Sequence, residues 1–361
     1  MPFLARLRAI VLLHDRRQRT SYLTRLVLAV LLGLATLSLA ACQAVGSAPA
    51  LSAPTATVAE NTPTAASTSP ALTVTPRATA AHPPTPTTVA AAVATTELKF
   101  DGRRAYQFVL EQVAIGPRPT GSEAGWKTGD YIIEQLETFG WKVSTQEFVF
   151  KGVRGRNIIG KGGAGAVIIL GAHYDTRPAA EKDPDPVKWG EPILGANDGA
   201  SGVAVLLELA RVLPRDNLKR QVWLTFFDAE DRGRLDDWPF SVGAMDMARR
   251  LTLRPEAVVV VDMIGDADQQ IYYENFSHPE LSAEIWRVAE RLDYRDYFIP
   301  ETKHSIIDDH LPFAEMGIRA VDIIDFDYPY WHTLEDTADK VSPDSLERVG
   351  RTLQVWLEEK R

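Results

Sequence analysis

Five short stretches of this 361-residue chain carry side chains that could do chemistry together. They are His173-Tyr174-Asp175, Asn197-Asp198-Gly199, Asp228-Ala229-Glu230-Asp231, the single Asp262, and Trp331-His332-Thr333. Imidazole nitrogen and carboxylate oxygen, without thiolate, are the donors of a catalytic zinc site that keeps one position open. Asp198, Asp231 and His332 are expected to hold one such ion. Asp175 stands two residues beyond His173, better placed to orient that imidazole than to touch metal. Neighbours in an extended segment point opposite ways, so one of the pair Glu230-Asp231 can face the metal. The other then faces substrate as general acid and base. Alone, residues 228–231 would read as a solvated acidic loop; the two histidines and the other acids argue for a metal site.

The elements that must position these groups alternate along the chain. Helical spacing appears in Ala105–Ile115 and Trp126–Phe139, which ends at Gly140, then strand-like composition in Lys142–Phe150 and Arg154–Gly160. Ala166–Gly171 is a short apolar run, Gly202–Leu213 a helix, Gln221–Phe227 a strand, Val242–Leu251 a helix and Ala257–Val261 a strand. Gln270–Asn275 is strand-like, Glu280–Leu292 helical and Ile318–Ile324 a strand, and Ser342–Lys360 closes as an amphipathic helix. Such alternation predicts an α/β domain with a mostly parallel, mixed central sheet and helices on both faces. Sheets of this kind bind ligands outside the carboxyl ends of their strands. His173, Asp228–Asp231 and Asp262 follow predicted strands directly, and His332 follows one a short loop later.

Composition sets the limits around that domain. The stretch 97–361 mixes apolar, aromatic and charged residues as a folded catalytic domain does and is long enough for a real core. A net charge of −9 argues against nucleic acid as the main partner. The only cysteine is Cys42, which excludes internal disulfides and thiolate metal clusters. Residues 1–41 have an arginine-rich start followed by an apolar run from Leu26 that is short for a spanning helix, which needs roughly 20 residues. This pattern predicts an export signal. Residues 42–96 are Pro, Thr and Ala rich, with too few large apolar residues to repay ordering, and read as an extended disordered linker.

Leu39-Ala40-Ala41-Cys42 resembles the lipobox of bacterial lipoproteins, in which the chain is cut before the cysteine and its sulfur is lipidated. That resemblance implies an exported lipoprotein, held at the cell surface or in the periplasm by a membrane anchor at Cys42. The alternative is an uncleaved signal anchor.

The chemical stretches also resemble a family. Gly171-Ala-His-Tyr-Asp-Thr, Gly195-Ala-Asn-Asp-Gly-Ala-Ser-Gly, Phe226-Phe-Asp-Ala-Glu-Asp and Trp331-His-Thr look like the signature blocks of the co-catalytic zinc aminopeptidases. Within that fold the glutaminyl cyclases match best, over essentially all of residues 101–361. The resemblance implies Asp198, Asp231 and His332 as zinc ligands and Glu230 as proton shuttle. In the aminopeptidases His173 and Asp262 would complete a second zinc site. In the cyclases the residue matching Asp262 instead joins a hydrogen-bond network with an acid matching Asp308. Zn2+ is thus the expected cofactor, one ion for a cyclase and two for an aminopeptidase.

Three features point to the cyclase branch. Asp308-Asp309-His310-Leu-Pro-Phe resembles a segment that cyclases carry before their last core strand. Trp331 stands where they place an aromatic wall, and Trp238 resembles another pocket tryptophan. Each has a plainer alternative: Asp308 could cap the helix through Met316, and the tryptophans could be core. Two residues depart from the animal cyclases, Asp231 where they have Glu and Asp322 where they have His. The expected substrates are peptide or protein N-termini. The expected reaction is conversion of an N-terminal Gln to pyroglutamate with release of ammonia. The alternatives are hydrolysis of an N-terminal residue and a silent surface-binding domain.

Overall fold

The computed structural model describes residues 98–360. The expected signal segment, Cys42 and the linker lie outside the described residues. In chain order the elements are α1 (Gly102–Ile115), α2 (Glu123–Thr138), β1 (Lys142–Phe150), β2 (Val153–Gly162), β3 (Val167–His173), α3 (Ala200–Val212), β4 (Gln221–Phe227) and α4 (Val242–Arg250). They continue with β5 (Ala257–Asp262), β6 (Ile271–Glu274), α5 (Pro279–Arg291), β7 (Phe298–His304), α6 (Leu311–Glu315), β8 (Ala320–Ile324) and α7 (Pro343–Glu359).

The central sheet has six strands in the order β1-β2-β4-β3-β5-β8. β3 pairs in parallel with β4 and with β5, and β5 in parallel with β8. β1 and β2 add an antiparallel flank to β4. The fold is therefore the mostly parallel, mixed α/β sheet that the alternation predicts.

Parallel strands covered on both faces read as continuous apolar runs rather than alternating ones. Val167-Ile-Ile-Leu in β3 and Val258-Val-Val-Val in β5 are buried throughout. The pleat sorts them. Ile168, Leu170, Val259 and Val261 join the large core with α1, α3, α5 and α7. Val167, Ile169, Val258 and Val260 face Ala244, Met247 and Ala248 of α4 and Phe313 of α6. Each such aliphatic side chain contributes about 1.5–3 kcal/mol on full burial, so both faces anchor the strand ends that carry the chemistry. α3 lies so close to β5 that a Cβ on Gly202 would meet Val261 O at 2.4 Å, which brings its N-terminal loop, with Asp198, over the end of β5.

One strand is invisible to pattern reading. β7 contains Pro300 and leaves most of its residues exposed. It pairs only with β6, outside the central sheet, with register irregularities. Neither alternation nor apolarity marks such a segment. Among the described residues no helix is long and apolar enough to cross a membrane.

Candidate active site

β3, β4, β5 and β8 run the same way and adjoin one another, so their carboxyl ends share one rim of the sheet. His173 is the last residue of β3, Asp262 the last of β5, and Asp228–Asp231 follow β4 at once. Beside these groups the backbone turns through left-handed conformations that are costly for residues with a Cβ. Ala229 has φ 63°, Met263 φ 45° and His332 itself φ 56°. Strain of this kind, about 1–3 kcal/mol per residue, persists where the surroundings over-determine it, and it gathers at functional sites.

Asp198 sits at the centre. His173 Nε2 lies 3.2 Å from Asp198 Oδ1 and 3.1 Å from Asp262 Oδ1. On the other side His332 Nε2 lies 3.0 Å from Asp231 Oδ1 and 3.8 Å from Asp198 Oδ2. Two groups of potential ligands result, Asp198–Asp231–His332 and His173–Asp198–Asp262, each with donor atoms within 4.8 Å of one another. All five residues are buried, and Asp198 Oδ2 and Asp231 Oδ2 have no hydrogen-bond partner. Buried carboxylate oxygens left unpaired facing an imidazole nitrogen are what a nitrogen–oxygen site for Zn2+ requires. The residues fit the ion.

Burial and the two histidines set the local charge balance. Burial pushes the Asp231 carboxyl up to about 6, helped by Asp198 and opposed by His332. Burial likewise lifts Asp262 to about 7 against the pull of His173. For Asp198 burial is outweighed by the two histidines, which hold it below the usual carboxylate range.

Hydrogen bonds from behind fix the ligands. Gly199, at φ 96°, turns the chain after Asp198 where a Cβ would meet Asp175 O at 2.8 Å. Both oxygens of Asp336 accept from the loop, from the amides of Asn197 (2.8 Å) and Asp198 (3.1 Å). His332 Nδ1 lies 2.8 Å from Glu181 Oε1. Arg177 joins Glu181 through Nε and Nη2 and donates from Nη1 to the Asp231 carbonyl at 2.8 Å. Arg118, fully buried, donates to the carbonyls of Tyr174, Leu194 and Gly195 and so ties the β3 end to the Asp198 loop.

The model of peptidase family M28 matches residues 157–357. The chain belongs to peptidase family M28.

Solved structures agree. The chain is similar to the glutaminyl cyclase of Porphyromonas gingivalis, with 34% identity and a TM-score of 0.70 over 73% of this chain and 99% of that one. It is equally similar to a leucine aminopeptidase precursor from Bacteroides thetaiotaomicron, with 32% identity and a TM-score of 0.70 over the same shares. The Escherichia coli protein YfbL is 32% identical over 172 residues, 46% of this chain; the chain spans about half of YfbL's length. M28 membership makes the chain an enzyme of a zinc-dependent family whose similar members include both cyclases and aminopeptidases.

Within this M28 site, residues differ in how far their expected roles match their positions. Asp175 does not hold His173 chiefly through its carboxylate. Its Oδ1 stands 3.7 Å from His173 Nδ1, and its backbone oxygen is nearer at 3.1 Å. The carboxylate instead accepts the amides of Glu230 (3.1 Å) and Asp231 (3.2 Å) and the Thr120 hydroxyl. Asp175 therefore sets the turn that points those two acids apart.

Glu230 is 7% exposed. Burial, opposed by His173 and reinforced by Asp308, Asp231 and Asp309, holds its carboxyl well above the usual range. Asp308 is buried on that side and does not cap α6: its side chain accepts the neighbouring Asp309 amide and meets the Asp322 carboxyl, and the residue at the helix N-cap, His310, makes no side-chain cap bond. Trp331 is half-buried and lies on the His332 ring, with centroids 4.1 Å apart, and against Phe326. Trp238, by contrast, is 4% exposed and packs with Phe148, Ala229 and Val242. It meets Phe150 edge-on at 4.8 Å, so this indole supports the turn beneath Glu230 rather than forming an open wall.

Arg118, Arg177, Glu181 and Asp336 carry no signal in the sequence blocks. An arginine between two prolines, Pro117-Arg118-Pro119, and an acid four residues past His332 are the traces that could have marked two of them. Arg177 and Glu181 sit in an irregular loop where no periodicity applies.

Proposed function

We propose that this chain is a zinc-dependent glutaminyl-peptide cyclotransferase acting on peptides and proteins with an N-terminal Gln. The observation that carries the reading is the buried Glu230 carboxyl, backed by Asp308 and Asp309 and standing beside the ligand set. The likeness to glutaminyl cyclases over nearly their whole length supports it.

Asp198, Asp231 and His332 would hold the ion. A zinc ion bound there supplies Lewis acidity toward the γ-carboxamide of the substrate glutamine. The α-amine nitrogen of the same residue attacks that carbon, a carbon–nitrogen bond closes the five-membered ring, and the amide nitrogen leaves as ammonia. Both partners belong to one residue, so orientation rather than capture sets the barrier. Glu230 takes the proton from the amine and returns it to the leaving nitrogen. A carboxyl poised above its ordinary range is the better acceptor for an ammonium proton. Asp262 and Asp308 would steady that proton path, and Trp331 would flank the bound side chain next to His332.

A second reading rests on a specific feature, the His173–Asp198–Asp262 group, which has the composition for a second ion. With it filled, Glu230 would deprotonate water for hydrolysis of an N-terminal peptide bond. One experiment separates the two: purified protein is given a Gln-initiated and a Leu-initiated fluorogenic peptide, with metal counted per chain. Ammonia and pyroglutamate with a single ion at the Asp198–Asp231–His332 group establish the cyclase. Free leucine with that group and the His173 group both filled establishes the peptidase and removes the cyclase reading.

The arginine-rich start, the apolar run and Leu39-Ala40-Ala41-Cys42 support an exported lipoprotein that meets its substrates outside the cytoplasm. Incorporation of a labelled lipid precursor that disappears in Cys42→Ala is the expected result; normal anchoring of that variant refutes it.

A further inference from the structure

The loop that follows β3 brings one unmatched cation to the edge of the candidate active site. Glu181, Lys182 and Asp183 run beside the His332 segment and are tied to it at three successive residues. Glu181 Oε1 lies 2.8 Å from His332 Nδ1, the Lys182 amide donates to the His332 carbonyl at 3.2 Å, and Asp183 Oδ2 accepts the Leu334 amide at 3.2 Å. The Trp189 indole donates to the Asp183 carbonyl at 2.8 Å and closes the loop on itself. The backbone at Lys182 is therefore held next to a candidate zinc ligand.

Its side chain is free. Lys182 is exposed, and among the described residues its ammonium makes no ion pair and no hydrogen bond. Nζ stands 5.1 Å from the centre of the Trp331 ring, within reach of the attraction between a cation and an aromatic face. Trp331 is half-buried, with His332 and Phe326 against its ring, so the exposed ammonium reaches it from the open side. The charges nearby are already matched. Glu181 pairs with Arg177 and His332, and the Asp183 carboxylate accepts the amides of Asp185 and Leu334. Two other lysines beside this aromatic segment are matched as well, Lys303 by Asp327 and Lys340 by Asp339.

We propose that Lys182 selects the peptide residue that follows the N-terminal one and favours Asp or Glu there. The inference rests on the reading that the N-terminal side chain lies against Trp331 in front of the zinc ligands. The second residue then lies one Cα step, about 3.8 Å, farther out, at the rim where Lys182 stands. A carboxylate on it meets a cation whose backbone is already fixed, so little ordering of the protein opposes the contact. In a chain of net charge −9 this lysine supplies local attraction where an acidic peptide would otherwise be repelled. An exposed ion pair is modest in strength, so the effect is a preference and not a requirement.

The test compares kcat/KM for amidated peptides that begin Gln-Glu, Gln-Ala or Gln-Lys and are otherwise identical, with the full chain loaded with Zn2+ and pyroglutamate as the product measured. The unsubstituted enzyme should prefer Gln-Glu to Gln-Lys by about 2–5-fold, and the preference should shrink at high salt. Lys182→Gln should bring the three peptides to within about two-fold of one another, and Lys182→Glu should invert their order. Equal turnover of all three by the unsubstituted enzyme, or an order that survives Lys182→Glu, overturns the proposal. So does a loss in Lys182→Gln of the same size for every peptide, which would make Lys182 a support for Trp331 only. If no peptide yields pyroglutamate, the cyclase reading fails by itself. The same order is then read from release of the free N-terminal residue from Leu-Glu, Leu-Ala and Leu-Lys peptides, because the rim is common to both reactions.

Discussion

The two ligand groups that share Asp198 are alike in donors and unlike in support. On one side, His332 is held through Nδ1 by Glu181, and Asp231 is held through its backbone by Arg177, the same arginine that grips Glu181. On the other, His173 Nδ1 is nearest the Asp175 carbonyl, with the Asp175 carboxylate farther off at 3.7 Å, and Asp262 sits at the end of β5 facing further acids. A ligand whose far nitrogen is held by a carboxylate is better oriented and more basic. A matching set of side chains therefore does not make two equally supported ligand groups. On the proposed cyclase reading, the braced group keeps the ion and the other serves Glu230.

Substitutions test the inequality of the two groups. Asp198→Asn removes the carboxylate common to both groups and should strip zinc from the pair and abolish turnover, read by metal analysis beside an activity assay. Glu230→Gln should lower kcat by about 10²–10⁴-fold, the usual worth of a general acid–base group, with the zinc count unchanged. If turnover persists, Glu230 loses its role. Glu181→Gln should weaken zinc binding by about 10–100-fold, measured by competition with a chelating dye. Asp262→Asn should leave that affinity within a few-fold; equal losses in these two variants would show the groups to be equivalent. The smallest effect falls on the fold. Asp175→Asn turns one acceptor of the Glu230 and Asp231 amides into a donor, and thermal unfolding should reveal a loss of about 1–3 kcal/mol.

Much of this arrangement is legible in the sequence because it rests on strong patterns. Buried parallel strands must be apolar runs, and β4 and β1 begin and end where composition changes at Gln221–Phe227 and Lys142–Phe150. The candidate site residues Glu230, Asp231 and Asp262 fall just past such runs, His332 a short loop past one and Asp198 just ahead of α3, so they could be singled out before any geometry. What escapes is support that depends on three-dimensional approach. Glu181 and Arg177 meet their partners across long stretches of chain, and nothing local distinguishes them from surface charges. Spacing shows that Asp175 is close to His173, which it does meet, and not that its carboxylate also accepts the amides at 230 and 231. Trp238 illustrates the converse: an aromatic near a catalytic acid in sequence is as easily its foundation as its wall.

The first described residues are fastened to the last helix. Gln354 of α7 accepts from the Phe100 amide and donates to the Leu98 carbonyl, while Glu208 of α3 accepts from the Asp101 amide. A pull on the chain ahead of residue 98 would thus be borne first by α7 and α3, on the opposite face of the sheet from α4. The same clasp means that trimming the carboxyl terminus back past Gln354 would unbutton the other end of the domain.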